Sequence, residues 1–312
     1  MSASRAGEGI WALAIHGGAG AARRHAGAEA RAAEIRAALA AVLDAGARRL
    51  SAGGTALDAV EDAVVRLEDS PLFNAGRGAV LNERGEAELD ASIMDGASLR
   101  AGAAAGLRTA KNPIRVVRLV LERSPHVLIA GDGAEAFAAH HGVERVDPAY
   151  FVTDRRRREL AEARRGAGRT SGGETGTVGA VALDVHGNLA AATSTGGVTN
   201  KAVGRVGDSA VIGAGTFASN ASCAVSCTGQ GEIFIRATAA RDVAALMEYA
   251  GLGVEAAAVN VIRERVASLG GEGGLIAVDR HGHVAFSFNT DVMLRGAVTH
   301  ESAPRVALDR AT

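Results

Sequence analysis

The stretch Gly-Thr-Val-Gly-Ala-Val-Ala-Leu-Asp at 176–184 predicts a buried β-strand, because it is almost entirely small and apolar. The segment 166–176 before it contains no large apolar side chain, which predicts an exposed linker. A His-Gly-Asn turn at 186–188 then leads into a second strand, as in a hairpin. Cleavage of the chain after Gly176 would turn Thr177 into a new amino terminus at the start of a strand.

A threonine at such a terminus carries both a hydroxyl and an α-amine. Free α-amines have a pKa of about 7.7–8.0, so the amine can act as a base near neutral pH. One residue would then supply both the nucleophile and its base. Taken alone, however, a threonine that follows a glycine is more typical of an ordinary strand start, so the neighbouring motifs carry the argument.

Three nearby segments add polar groups of the required kinds. Residues 193–197 (TSTGG) place hydroxyls at the end of the next strand. Residues 227–232 (CTGQGE) form a strand-to-helix junction whose backbone N–H groups and Thr228 hydroxyl could face a developing oxyanion. Arg205 and Asp208 lie in a glycine-flanked loop and could clamp a zwitterionic amino acid through its carboxylate and ammonium groups. A local salt bridge between Arg205 and Asp208 is the alternative.

Length and composition narrow the function classes. The chain has 312 residues, 47% hydrophobic and 22% charged, with a formal net charge of −1, which is typical of a globular protein of one large or two small domains. A near-neutral chain lacks the basic field of a nucleic-acid-binding protein. The arginines at 155–158 form a basic cluster, for which a solvated helix or linker is favoured over a nucleic-acid patch because no aromatic residues interleave with them.

The sequence also argues against several other classes. It has no apolar run of 18 residues and no signal peptide within residues 1–9, so we expect no membrane segment and a cytoplasmic location. Cys223 and Cys227, the two cysteines, are too few for a disulfide scaffold and are expected to be buried thiols. Phosphate-binding, metalloprotease and nucleophile-elbow motifs are absent, so no catalytic cofactor is expected.

The apolar periodicity predicts an α+β fold. We expect helices at 28–50, 55–67, 113–123, 134–141, 153–165, 232–249 and 254–269. We expect strands at 10–15, 87–94, 102–107, 127–130, 177–184, 189–193, 211–214, 221–227, 275–279, 284–288 and 292–297. Hairpin turns at 184–188 and 279–283 favour antiparallel sheets covered by helices.

Several separated blocks together resemble the signature of the plant-type L-asparaginases, also called isoaspartyl peptidases, which are N-terminal-nucleophile (Ntn) hydrolases. The resemblance runs from about Trp11 to Met293 and rests on blocks in both halves of the chain. They are IHGGAG (15–20), PLFNAGRG (71–78), ELDASIMDG (88–96), GTVGAVALD (176–184), TSTGGVTNK (193–201), GRVGDS (204–209) and CTGQGE (227–232).

The resemblance implies a four-layer αββα sandwich with two mainly antiparallel central sheets. It implies one Ntn-hydrolase domain, 1–312, that cleaves itself into an α subunit (1–176) and a β subunit (177–312), with two such pairs in the assembly. The implied substrates are L-asparagine and β-aspartyl dipeptides, hydrolysed through a threonine acyl-enzyme to L-aspartate. No nucleic-acid or membrane partner is implied.

The resemblance also implies a role for individual residues. Thr177 matches the nucleophile and Thr195 its hydrogen-bonding partner, while Thr228 and Gly229 match the oxyanion hole. Substrate binding is implied for Arg205, Asp208, Gly229 and Gly231, and autoprocessing for Gly176, Thr177 and Asn74. A structural sodium ion is implied on the backbone carbonyls of Leu67, Glu68, Ser70, Phe73, Ala75 and Arg77.

Three residues differ from the pattern of that family. Gln230 stands where a smaller residue is usual, which bears on the leaving group. Thr175 and Ala210 replace, respectively, a usual His or Asp and a usual proline. Two alternatives stay open: a glycosylasparaginase of the same superfamily, and an uncleaved amino-acid-binding protein.

Overall fold

The computed structural model describes residues 9–20, 28–166 and 176–309. Residues 167–175, which form most of the expected linker and include Thr175, lie outside these ranges. Gly176 and Thr177 lie inside them, so both sides of the expected cleavage point can be placed.

Twelve strands and eight helices make up the described part of the chain. The strands are β1 (Ala12–Gly20), β2 (Leu89–Asp95), β3 (Ala101–Leu107), β4 (Leu128–Ala130), β5 (Val178–Leu183), β6 (Leu189–Thr195), β7 (Thr216–Ala218), β8 (Cys223–Gly229), β9 (Gly273–Asp279), β10 (Val284–Phe288), β11 (Val292–Thr299) and β12 (Ser302–Asp309). The helices are α1 (Ala28–Ser51), α2 (Ala56–Asp69), α3 (Pro113–Arg123), α4 (Gly131–His140), α5 (Asp154–Arg165), α6 (Gly231–Ala237), α7 (Ala239–Ala250) and α8 (Val254–Asn260). A π-helical turn, Val261–Val266, continues α8.

The strands form two sheets. One has eight strands in the order β12-β11-β1-β5-β6-β2-β3-β4, and the other has four in the order β10-β9-β8-β7. Only the β3–β4 pair is parallel among the described ladders. Helices α1–α4 cover the outer face of the large sheet, α6–α8 cover the outer face of the small one, and the sheets pack on each other. The four-layer αββα sandwich with mainly antiparallel sheets is therefore confirmed.

Three apolar cores fill the three interfaces between these layers. The largest lies between α1–α3 and the large sheet and includes Leu13, Leu39 and Val64. A second lies between the small sheet and α6–α8 and contains both free cysteines, Cys223 and Cys227, as expected of buried thiols. The third lies between the sheets and is built mostly from alanines, valines and a few larger residues. Small side chains on the inner faces let the two sheets approach closely enough for polar side chains to meet across them.

Two helix starts follow the chemistry that the sequence indicates. The hydroxyl of Thr55 accepts a hydrogen bond from Asp58 N (3.1 Å) and caps α2. Pro113 is the first residue of α3, where its missing N–H costs nothing. None of the helices in the described ranges combines the length and apolarity that a bilayer crossing requires.

Three expectations about secondary structure are wrong. The expected strand 211–214 is a turn, because Val211 N donates to Asp208 O and Gly215 N donates to Val211 O. The strand β7 begins only after this turn. The single helix expected over 232–249 is interrupted at Thr238, which adopts a left-handed conformation (φ 46°). The edge strand β12 was not expected, since its side chains alternate without a clear apolar face.

The expectation of a solvated basic cluster at 155–158 is wrong for one residue. Arg156 on α5 is buried, and its guanidinium donates to Gly78 O (2.6 Å) and to Glu159 (2.7 Å). Arg155 donates to Pro71 O (3.0 Å) on the same loop. These arginines fasten α5 to the loop 71–78 by bonding its backbone carbonyls.

The packing of α3 on β3 gives a stability test. A Cβ at Gly102 on β3 would overlap the carbonyl oxygen of Val117 and lie 2.6 Å from Leu121 N, both on α3. We expect Gly102→Ala to lower the free energy of unfolding by about 1–3 kcal/mol, measured by urea denaturation, because helix and strand must separate. Gly133→Ala on α4 is the control, since a Cβ there meets nothing within 4 Å; it should be neutral or stabilising, by up to about 1 kcal/mol. Equal effects of the two substitutions would contradict the close packing.

Candidate active site

Thr177 lies at the open end of the central strand β5, one residue before its ladder begins. The strand is held between β1 and β6, and the last pair with β6 joins Val178 to Ser194. The Thr177 hydroxyl donates to Thr195 Oγ1 (3.1 Å), and its Oγ1 lies 3.4 Å from Ser209 Oγ. Thr177 and Thr195 are both buried. The end of the ladder thus brings three hydroxyls together, two of them on residues expected in the site.

The residue before the nucleophile candidate sits against β1 and β8. A Cβ at Gly18, where φ is 114°, would overlap Gly176 N, so only glycine fits at this point of β1. A Cβ at Gly176 would lie 2.9 Å from Thr228 Oγ1, which places that hydroxyl beside the Gly176–Thr177 peptide. Ala19 N donates to the same Thr228 Oγ1 (3.3 Å). Gly176, Thr177 and Thr228 therefore converge.

The junction after β8 is shaped by close backbone contacts. Gly229 ends the strand with φ 154°, and a Cβ there would lie 2.5 Å from Glu272 O. Gln230 N donates to the same carbonyl (3.0 Å), which fixes the turn into α6. Gln230 itself is half-buried at the start of α6, and Ala210 is buried in the short turn 208–210. The backbone beside Thr228 is thus held in place by Glu272 and by the first residue of β9, Gly273, which pairs with Gly229.

The guanidinium of Arg205 lies in a narrow space bordered by glycines. Its Nε and Nη2 each bond a carboxylate oxygen of Glu232 at 2.9 Å. A Cβ at Gly231 would lie 2.8 Å from Arg205 Nη2, and one at Gly207 would lie 2.8 Å from Nη1. The glycines therefore largely enclose the guanidinium. Its carboxylate partner is Glu232 rather than Asp208. The local Arg205–Asp208 salt bridge considered from the sequence is not formed.

Asp208 is a buried acid whose charge is only partly compensated. Burial raises the pKa of its carboxyl to about 7, and the nearby Arg205 opposes the shift. Its Oδ2 has no hydrogen-bond partner within the described ranges. An unpartnered buried carboxylate is costly to maintain and is suited to a cationic ligand group.

Asn74 supports the turn that follows Thr195. Its amide Nδ2 donates to Gly197 O (2.8 Å), and its Oδ1 accepts from Val80 N (2.9 Å). Gly196 N also donates to Asn74 O (3.2 Å). Asn74 thus holds the segment that carries the hydroxyl partner of Thr177.

The loop expected to hold sodium folds tightly on its own carbonyls. A Cβ at Gly76 (φ 49°) would overlap Glu68 O, and one at Gly78 would overlap Phe73 O. Leu67 O accepts from Ser70 N (3.3 Å), and Ala75 O accepts from Gly78 N (3.1 Å). Backbone carbonyl oxygens gathered in such a loop are the kind of ligand that a hard cation such as sodium takes. No group of three or more His, Cys, Asp or Glu side chains in 9–20, 28–166 or 176–309 could hold a metal.

Some residues at the site were not assigned a role from the sequence. Ser209 lies in the quoted GRVGDS block and Glu232 in CTGQGE, but nothing local indicated their contacts. His16 lies in IHGGAG, and its Nδ1 is 3.0 Å from Thr177 O. The only signal for His16 was its position where an apolar strand meets glycines. Its partner lies 161 residues away, beyond the reach of local patterns.

Comparisons with known proteins agree with this geometry. Residues 9–308 match the model of the Asparaginase family. The isoaspartyl peptidase of Escherichia coli (strain K12) is 52% identical over 292 residues, 91% of each chain. The isoaspartyl peptidase of Salmonella typhimurium is also 52% identical, over 91% of this chain and 93% of its own. The isoaspartyl peptidase/L-asparaginase of Homo sapiens is 47% identical over 225 residues, 70% of this chain and 72% of its own.

The family model matches nearly the whole chain. The chain also has the four-layer sandwich, with a threonine at the end of its central strand, and together these findings identify its family. The chain belongs to the asparaginase family of plant-type L-asparaginases and isoaspartyl peptidases, within the N-terminal-nucleophile hydrolases.

Proposed function

We propose that this hydrolase activates itself by cleavage before Thr177 and then hydrolyses the side-chain amide of L-asparagine and of β-aspartyl dipeptides. The observation that carries the proposal is the placement of the Thr177 hydroxyl, 3.1 Å from Thr195 Oγ1 at the end of β5, with Gly176 against Thr228. The names of the relatives, isoaspartyl peptidase and isoaspartyl peptidase/L-asparaginase, support the substrate class.

The proposed activation uses only groups of the chain and one water. The Thr177 Oγ1 attacks the Gly176 carbonyl carbon, the C–N bond to Thr177 breaks, and the α-amine takes up a proton. The acyl group is then an ester on Oγ1. Water hydrolyses this ester, which frees the Gly176 carboxylate and the Thr177 hydroxyl. The proposed donor to the oxyanion of the Gly176 carbonyl is the Thr228 hydroxyl, a role supported by its position beside Gly176.

Turnover repeats this chemistry on the substrate. The Thr177 α-amine takes the hydroxyl proton, and Oγ1 attacks the side-chain carbonyl while Thr195 orients it. The oxyanion is bound by the Thr228 hydroxyl and the Gly229 N–H. The amine or ammonia leaves with a proton, and water hydrolyses the β-aspartyl ester to L-aspartate.

Arg205 and Asp208 are the proposed anchors for the two charged groups of the aspartyl unit. Glu232 occupies Nε and Nη2 of Arg205. The edge proposed to bind the α-carboxylate of the substrate is therefore the Nη1 edge, which lies toward Gly207. The unpartnered Oδ2 of Asp208 suits the α-ammonium. Gly231 leaves room for the guanidinium, since a Cβ there would lie 2.8 Å from Nη2.

The proposed assembly and location extend the family resemblance. We propose that the 1–176 and 177–312 pieces stay associated, since β1 of the first pairs with β5 and β11 of the second, and that two such pairs assemble. The free, buried thiols Cys223 and Cys227 support a reducing compartment such as the cytoplasm.

Substitution of the nucleophile tests both reactions at once. We expect Thr177→Ala to remain one full-length chain and to lose all turnover of L-asparagine and β-aspartyl dipeptides, because no hydroxyl remains to attack. Thr177→Ser is the control, which should still cleave and turn over. Denaturing mass spectrometry should show wild-type pieces that end at Gly176 and begin at Thr177.

Three outcomes would contradict the proposal. A cleaved and active Thr177→Ala protein would remove Thr177 as the nucleophile. A wild type that hydrolyses only glycosylated asparagine would favour a glycosylasparaginase. A wild type that stays whole and binds aspartate without turnover would be a binding protein.

The pKa of Asp208 predicts the pH dependence of kcat/KM for the cleaved enzyme. Binding of the substrate ammonium needs Asp208 as a carboxylate, and its pKa is raised to about 7. The general base must be the neutral α-amine of Thr177, for which the reference pKa is about 7.7–8.0. Since both groups are protonated at low pH, log kcat/KM should fall with a slope near two below about pH 6.5. For Asp208→Asn we expect a slope near one.

Glu232→Gln is the control for that measurement, because it removes a carboxylate beside Arg205 that is mostly exposed. Its slope should stay near two. An unchanged slope in Asp208→Asn would show that Asp208 does not bind the ammonium.

We also propose that the loop carbonyls of Leu67, Glu68, Ser70, Phe73, Ala75 and Arg77 hold a sodium ion. Its role would be structural, since α5 and α2 both fasten to this loop. We expect the melting temperature to rise with NaCl but not with choline chloride at equal ionic strength. Above the Kd, each tenfold rise in sodium should add about 1.4 kcal/mol.

Gly76→Ala should abolish this sodium-dependent increment, because a Cβ at residue 76 displaces the Glu68 carbonyl. Gly85→Ala is the matched control: it also has positive φ (86°), but its nearest neighbour would be 3.8 Å away. The control should be destabilised yet keep the sodium increment. Loss of the increment in both variants, or its absence in the wild type, would contradict the site.

A further inference from the structure

The carbonyl of Thr177 lies where the pairing between β1 and β5 stops. The ladder ends at the pair His16–Gly179, and β1 bulges between His16 and Gly18. The bulge makes room for Gly176 but removes the strand partner that Thr177 would otherwise have. The His16 side chain takes its place, with Nδ1 3.0 Å from Thr177 O.

A chain of buried hydroxyls continues from the other nitrogen of His16. Its Nε2 is 2.9 Å from Ser226 Oγ, which is 2.7 Å from Thr193 Oγ1. Thr193 Oγ1 is 2.5 Å from Thr216 Oγ1, which is 2.8 Å from Ser92 Oγ. The chain crosses between the large and the small sheet at every step, and all five side chains are fully buried. Its position is therefore fixed by both sheets.

The hydrogen bonds of this chain have a defined direction. A carbonyl oxygen only accepts, so Nδ1 of His16 must carry the proton that bonds Thr177 O. In the neutral ring Nε2 then accepts from Ser226. Each hydroxyl has a single proton. Since Ser226 donates to His16, Thr193 donates to Ser226, and Thr216 donates to Thr193 at the next step. A backbone carbonyl, Gly215 O, also accepts from Thr193 (3.2 Å). The donors nearest to His16 therefore point toward Thr177, whereas Ser92 also donates to the carbonyl of Ser209 (2.6 Å).

Burial favours the neutral ring that this direction requires. It lowers the pKa of His16 to about 3, while the bond to Thr177 opposes the shift. The groups that face the ring from β5 and β8 are the Thr177 carbonyl and the Ser226 hydroxyl, and neither is charged. His16 is thus unsuited to exchange protons with the substrate, and its contribution must be geometric.

We propose that His16, as a neutral imidazole protonated on Nδ1, is a positioning residue for the nucleophile Thr177. The proposal rests on the function proposed above. After cleavage Thr177 is a chain end, which frays unless it is tied down. The bond to its carbonyl holds the first peptide unit of β5, and so keeps Oγ1 beside Thr195 and Ser209. The Thr177 carbonyl, which can only accept, keeps the proton on Nδ1, and the Ser226 hydroxyl can donate to Nε2.

Three substitutions separate positioning from packing. Asn can place an amide N–H at the Nδ1 position and bond Thr177 O, whereas Gln can replace Nε2 and bond Ser226 only. Leu replaces neither. We expect His16→Gln and His16→Leu to lower kcat on a β-aspartyl dipeptide about 100-fold with KM changed less than threefold, because the nucleophile is misplaced. His16→Asn should recover at least tenfold of that loss.

Melting temperatures and the cleaved fraction, measured by mass spectrometry, are determined for each variant, and kcat is normalised to cleaved protein. A purely structural histidine predicts that kcat follows the melting temperature, with no advantage for Asn. Equal kcat for Asn and Gln, or a loss confined to KM, would overturn the proposal.

A measurement on the wild type keeps the proposal testable if the variants do not fold. In protein with ¹⁵N-labelled histidines, His16 should show a protonated Nδ1 and a bare Nε2, unchanged from pH 5 to 8. An Nε2–H tautomer, or titration near the ordinary histidine pKa of about 6.5, would refute it. This readout does not depend on the substrate, so a wild type that fails to hydrolyse β-aspartyl dipeptides would sink the proposed function instead.

Discussion

The site depends on where the ladder of β5 ends. Antiparallel pairing with β6 holds Val178 and pairing with β1 holds Gly179, while β1 bulges after His16, so neither ladder includes Thr177. A residue inside the ladder would have its backbone fully bonded and no room for a substrate. A residue further out would not be held. At the end of the ladder the sheet holds the nucleophile in place. The peptide bond between Gly176 and Thr177 lies outside the ladder, so it is free for the cleavage reaction.

Buried polar groups at this end fall into two kinds. The hydroxyls between the sheets bond one another and His16, so their burial is compensated and they add rigidity. Asp208 is different, because its Oδ2 is buried without a partner in the described structure and its pKa is raised to about 7. A native fold retains such a cost where a ligand removes it. The contrast separates hydroxyls whose hydrogen bonds compensate their burial from a carboxylate whose burial the proposed contact with the substrate ammonium would compensate.

Sequence reasoning predicted the local parts of this arrangement well. The start of β5 after a polar segment, the hydroxyls ending β6 and the loop of Arg205 and Asp208 are short-range patterns, and the family resemblance put them in one site. The partners reached across the sheets were not predictable, since His16 and Ser226 are 210 residues apart. The break at Thr238 was missed because no glycine marks its left-handed turn. The burial of Arg156 depends on carbonyls of a distant loop, which leave no pattern in α5.

The proposed anchor and the nucleophile are joined through one short turn, and this limits the substrate. Asp208 and Ser209 are consecutive in the turn 208–210, and Ser209 Oγ lies 3.4 Å from Thr177 Oγ1. The charged anchor is therefore only one residue from a group that touches the nucleophile. A substrate held at Asp208 by its ammonium must present its carbonyl within a few bonds, as a β-aspartyl unit does. In the function proposed above, the short connection between Asp208 and Ser209 favours an aspartyl amide, because its side-chain carbonyl carbon lies only three bonds from its α-nitrogen.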